Sequence, residues 1–97
     1  MPAVGRIGDS FSCGDIVAGG SPDVFDHGIP VARLSDPTTG HGCWPPTTIA
    51  EGSGTVFVNG IPLARAGDAN VPHTCPPIPE THSGNIVGGS PDVFSDS

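Results

Sequence analysis

Three side chains with metal-binding chemistry crowd into His-Thr-Cys-Pro-Pro-Ile-Pro-Glu-Thr-His-Ser-Gly, positions 73 to 84: His73, Cys75 and His82. Imidazole nitrogen and thiolate sulfur are zinc ligands, and a structural zinc takes four of them in a closed tetrahedron. The prolines between them, Pro76, Pro77 and Pro79, fix φ and lower the entropy lost when the loop is ordered around an ion. A fourth ligand must come from elsewhere. His41, in Thr39-Gly40-His41-Gly42, follows Asp36 by five positions, as His73 follows Asp68 by five. It is therefore the best candidate.

The remaining candidates compete with this set. Counting back from the Val-Phe pairs Val24-Phe25 and Val93-Phe94, Cys13 aligns with His82, so it is either a further ligand or a small buried hydrophobe. Cys43 lies two after His41, as Cys75 lies two after His73. Spacing leaves it open whether Cys43 replaces Cys75 at a metal or stays a buried thiol. With three cysteines, which cannot all pair within one chain, a disulfide framework is not expected. His27 takes the place of Asn59 in a turn and is read as a surface turn residue.

Catalysis finds little support. A hydrolytic zinc needs an open coordination position and a general base. Glu80 lies near the cluster, but no His-Glu-x-x-His helix and no Gly-x-Ser-x-Gly elbow occurs in the sequence. No catalytic residue is assigned.

The elements that must position these side chains come from an internal repeat. Gly20, Ser21, Val24, Phe25, Gly28, Ile29, Pro30, Ala32, Arg33 and Asp36 recur 32 positions later, at Gly52 through Asp68. Gly-Gly-Ser-Pro-Asp-Val-Phe returns at Gly88 to Phe94, so the first half of the unit occurs three times and the second half twice. Each unit predicts a β-hairpin. Asn59-Gly60 suits a type I′ turn, whose two central residues need positive φ, and the prolines sit where no ladder donor is needed. No long segment combines freedom from Gly and Pro with a helical apolar period. The expected class is all-β, with the metal candidates in the connectors between hairpins.

Composition agrees. Gly and Pro make 27 of the 97 residues, and the aromatic residues are one Trp and four Phe. A chain of this size buries only about 60–65% of its unfolded surface, so a staple such as a metal or a disulfide would add much. Three basic against ten acidic residues give a net charge of −7. That argues against nucleic acid and against anionic lipid as partners, both of which call for Lys and Arg. The N-terminal residues carry no signal-peptide pattern, and no window approaches a membrane span. Synthesis in the cytoplasm without a cleaved signal is expected.

Paired hairpins of the form Gly-Ser-x-x-Val-Phe-x-Asn-Gly-x-Pro-x-Ala-Arg-x-x-Asp, with connectors of the Gly-His-Gly and His-x-Cys-Pro kinds, resemble the PAAR-repeat family. The namesake strand is written Pro30-Val31-Ala32-Arg33 and Pro62-Leu63-Ala64-Arg65. The resemblance covers nearly the whole chain and implies a single conical domain over residues 1–97, with pseudo-threefold repeats at about 8–36, 37–68 and a truncated 69–97. It implies one structural zinc near the point, held by three His and one Cys, and the expected ligands are His41, His73, Cys75 and His82. It also implies a partner: a trimeric β-helical spike protein, of a phage tail or VgrG-like, with one cap per trimer and membrane contact only during piercing. The location implied is the tip of a virion's tail spike, or export by type VI secretion. The absence of an appended toxin domain tilts the expectation towards a phage tail. Two rival readings stand beside it, a small zinc-dependent hydrolase and a zinc-bound adaptor.

Overall fold

The computed structural model describes residues 2–95, and among these the regular structure is all-β: six short strands in three antiparallel pairs. β1 (Phe25–Asp26) pairs with β2 (Ile29–Pro30), and β3 (Phe57–Val58) with β4 (Ile61–Pro62). Their turns are His27-Gly28, with φ of 53° and 77°, and Asn59-Gly60, with φ of 55° and 76°. Two consecutive positive φ values define the type I′ geometry that matches strand twist. His27 is the turn residue the sequence predicted. The third hairpin, β5 (His73–Cys75) with β6 (Glu80–His82), lies inside a connector for which the repeat pattern predicted no element.

Most of the order is carried between repeats. The Gly5 N–H donates to the Ala64 carbonyl (2.9 Å), the Ala64 N–H to Ala32 (3.0 Å), and the Ala32 N–H back to Gly5 (2.8 Å). This closed ring of hydrogen bonds marks a pseudo-threefold axis. Crowding there explains the small residues. Ala32 and Ala64 have no exposed surface, and a Cβ on Gly5 would lie 3.3 Å from the Ala64 oxygen.

The ring needs three segments, and the third is Ala3 to Asp9, which pairs through isolated bridges. Ala3 bridges Phe94 as Pro30 pairs with Phe25 and Pro62 with Phe57. The Arg6 N–H donates to Asp9 Oδ2 at 2.7 Å, as Arg33 does to Asp36 at 2.8 Å and Arg65 to Asp68 at 2.7 Å. The half-repeat counted twice in the sequence thus exists a third time, at the other end of the chain. Ala and Gly there replace Pro and Ala, which hides it from a linear reading.

Each repeat opens on a buried serine whose Oγ accepts the N–H three residues on: Ser21 from Val24 (2.9 Å), Ser53 from Val56 (2.9 Å), Ser90 from Val93 (3.0 Å). Two apolar layers flank the alanine ring. Val4, Val31, Val58 and Leu63 form one, and Phe11, Val17, Ile49 and Ile86 form the other. The molecule is elongated, 39 × 24 × 22 Å. Among the described residues no helix is long and apolar enough to cross a membrane.

Candidate metal centre

Beyond the Val17, Ile49 and Ile86 layer the connectors converge. Cys13, His41, His73 and His82 each bring one ligand atom to within 4.8 Å of the others. The three imidazoles meet through the same nitrogen: Nε2 of His41 and His73 are 3.3 Å apart, and Nε2 of His82 lies 2.9 Å from each. Neutral imidazoles cannot satisfy this triangle among themselves. Each Nε2 carries either a proton or a lone pair, so at least one of three mutual contacts pairs like with like. A cation resolves the conflict by taking all three lone pairs. Zinc–nitrogen bonds of 2.0–2.1 Å put tetrahedral ligands about 3.3–3.4 Å apart. One contact has that spacing and two are tighter, so the residues present fit such an ion after a small outward movement of His82.

The surroundings favour ligation. His73 Nδ1 sits 2.8 Å from the Pro45 carbonyl, which only accepts, so the proton is on Nδ1 and the Nε2 lone pair faces the cluster. Desolvation, then the neighbouring His73 and His41, holds His82 below the ordinary imidazole range. The Trp44 ring stacks on His82 at 4.3 Å and on His41 at 5.2 Å, and its Nε1–H donates to the Glu80 carbonyl at 3.0 Å.

A buried polar pair aligns the ligand-bearing segments from below. Asp15 is fully buried; its Oδ1 accepts the N–H of Ile16 (2.9 Å) and of Gly40 (2.9 Å), next to His41, and its Oδ2 accepts from Asn70 Nδ2 (3.1 Å). Asn70 Oδ1 in turn accepts the Gly84 N–H at 2.9 Å, two residues past His82. Burial pushes the Asp15 carboxyl up, but the hydrogen bonds from Thr38, Ile16, Asn70 and Gly40 outweigh it and leave the carboxyl below its usual range. Gly84 must be glycine for packing reasons, because a Cβ there would lie 2.6 Å from the Cys13 nitrogen.

Cys75 is the residue placed differently from expectation. Together with Cys43 it forms a disulfide, and a disulfide sulfur offers no thiolate to a metal. The repeat explains the pairing: Cys43 and Cys75 lie 32 positions apart, at equivalent places in neighbouring repeats, with Cα atoms 5.1 Å apart. An odd cysteine count leaves one thiol over, and that thiol is Cys13. The alignment of Cys13 with His82 was the signal for it. Asp15 and Asn70 gave no signal in the sequence, since their roles depend on contacts between distant segments.

A profile described as the PAAR motif matches residues 39–97, more than half of the chain. The chain belongs to the PAAR-motif family. PAAR-motif proteins are structural proteins associated with the spike tips of contractile injection systems. No curated protein matches the chain. The matched span contains His41, His73 and His82, while Cys13 and the Ala3–Asp9 segment precede it.

A second group, Asp26, His27 and Asp92, also clusters in this PAAR protein, and in it Asp26 Oδ2 is buried without a hydrogen-bond partner. His27 Nδ1 lies 2.6 Å from Asp26 and Nε2 lies 3.2 Å from Asp92, and Arg6 is 3.8 Å from the other Asp26 oxygen. Both ring nitrogens are occupied and a cation is present. Asn59 makes the matching link one repeat on, donating to Asp23 at 2.8 Å. The group is a latch between repeats.

Proposed function

We propose that this chain is a zinc-stapled cap seated end-on on a trimeric β-helical spike, one cap per trimer. The reading is carried by the pseudo-threefold face on the side of the alanine ring away from the histidines. Val24, Val56 and Val93 surround an apolar depression of about 320 Å³ floored by Val4, Val31 and Leu63. Phe25 and Phe94 line it, 54% and 47% exposed, and Phe57 holds the equivalent position in the second repeat, 55% exposed. Three large apolar side chains left in water at equivalent positions are a surface built for a partner, and a trimer presents the matching symmetry. Strand edges in the hairpins offer further backbone pairing.

At the opposite end, Cys13, His41, His73 and His82 hold one zinc. Four protein ligands leave no open position, so the ion's role is structural. Such an ion supplies roughly 10–16 kcal/mol of apparent free energy in zinc-finger peptides, comparable with the whole stability of a typical domain, about 5–15 kcal/mol. A narrow end cannot bury enough side chains to stabilise itself, and one ion ties its segments together. Function is then mechanical: the cap closes the spike and gives it a stiff point, which contraction drives through a membrane. A net charge of −7 is compatible with this, since an external force needs no affinity for lipid. Both a phage tail and a type VI spike suit the reading.

The test is assembly with a purified trimeric spike from the same contractile system, followed by native mass spectrometry. One cap per trimer is expected; three caps per trimer, or none, overturns the reading.

A further inference from the structure

The disulfide shares its two segments with the metal centre. His41 and Cys43 sit two residues apart in one tight turn, closed by the paired hydrogen bonds of His41 with Trp44 at 3.0 and 2.9 Å. His73 and Cys75 sit two apart on β5, both buried on its same face. The Cys43–Cys75 bond therefore crosses between the same two segments that the histidines join through the cluster. Two cross-links in parallel restrict each other's loose states, so closing one lowers the ordering cost of the other.

We propose that the Cys43–Cys75 disulfide is a redox-operated clamp on the metal centre, raising zinc affinity when closed and relaxing it when open. This rests on the cluster being a metal site. The two sulfurs differ in access, because Cys75 is fully buried whereas Cys43 lies on an exposed turn. A small thiolate attacks the Cys43 sulfur, the S–S bond breaks, and Cys75 leaves as a thiolate that takes up a proton. A second thiol resolves the mixed disulfide, so two thiols become one small disulfide while the protein gains two electrons and two protons. Closure is the reverse, with a small disulfide as oxidant. Glutathione and thioredoxin keep cytosolic thiols reduced, so the chain is made with the clamp open and locks its tip after leaving that compartment. Coupling between the two sites is reciprocal: whatever factor closure adds to zinc affinity, bound zinc adds to the disulfide's resistance to reduction.

The experiment measures zinc affinity of the full chain by competition with a chromogenic chelator, in the oxidised form and after reduction with a phosphine. Binding at least tenfold weaker after reduction is expected, and Cys43→Ser/Cys75→Ser should reproduce the weaker value. Zinc should lower the disulfide's reduction potential by the same factor, about 30 mV for each tenfold. Cobalt substituted for zinc should show the charge-transfer intensity of one thiolate in both redox states. Equal zinc affinity in both states overturns the clamp and leaves the metal site standing. Tighter binding after reduction, with added thiolate intensity, also overturns it, because Cys43 or Cys75 would then be a ligand. Absence of zinc binding in either state overturns the clamp together with the metal reading beneath it.

Discussion

Truncating one phenylalanine of the apolar face separates docking from folding. Phe57 is 55% exposed in the free chain. With about 200 Å² for a phenylalanine side chain, about 110 Å² is in water and available to a partner. At about 25 cal/mol per Å² that area is worth about 2.7 kcal/mol, or close to a hundredfold in affinity. Phe57→Ala should therefore weaken spike binding by roughly two orders of magnitude, while leaving unfolding free energy within about 0.5 kcal/mol, as for other surface substitutions. Phe25→Ala and Phe94→Ala should match it, because their exposures of 54% and 47% are similar and each would face one subunit in the proposed docking. Calorimetric titration with the spike measures the first quantity, and thermal melting of the cap alone the second. Unchanged binding in all three variants would refute the docking face. A loss confined to one variant would refute threefold matching, and a large drop in melting temperature would show that the ring stabilises the cap itself.

Two further outcomes concern the opposite end. His73→Ala or His82→Ala should reduce tightly held zinc from one per chain to near none by elemental analysis, and lower the melting temperature by about 10 °C or more, given 4–8 °C per kcal/mol for a domain of this size; His27→Asn, in the turn, should do neither. Asp15 has a folded pKa below its ordinary 3.8, so its contribution is fully present above about pH 4 and is lost as pH falls through the lowered value. Melts between pH 7 and pH 2 should show a constant gap between wild type and Asp15→Asn above that point and a shrinking gap below it; a gap that widens in acid contradicts the assignment.

What was legible in the sequence was what repeats or follows local rules. Two hairpins could be read because Asn59-Gly60 and the 32-residue recurrence are local signals. The three histidines could be read because ligand chemistry restricts residue type. The third full repeat was hidden because its halves, Gly88 to Phe94 and Ala3 to Asp9, are joined only by hydrogen bonds such as Val4 to Val93 at 3.1 Å. The choice among cysteines was not legible for a related reason. Spacing made Cys43 and Cys75 equivalent, and equivalence around an axis means proximity, so two thiols that looked like rival ligands became partners for each other. The Asp15–Asn70 pair depends on residues 55 apart in the chain, which no local pattern reports.

One chain in place of three identical ones also explains how such an apex can be built. A symmetric homotrimer supplies side chains in threes, so a set of three histidines and one cysteine would leave two further cysteines of its own without a role. Here the strands around the axis obey threefold equivalence, as the ring of Gly5, Ala32 and Ala64 requires. The connectors do not: they run from Asp9 to Val17, from Asp36 to Ile49 and from Asp68 to Ile86, each longer than the last. The shortest gives Cys13 and Asp15, the second His41, and the longest folds into its own hairpin and gives His73 opposite His82. Symmetry is kept around the alanine ring and the phenylalanine face and abandoned at the cluster, where three imidazoles and one thiol come together.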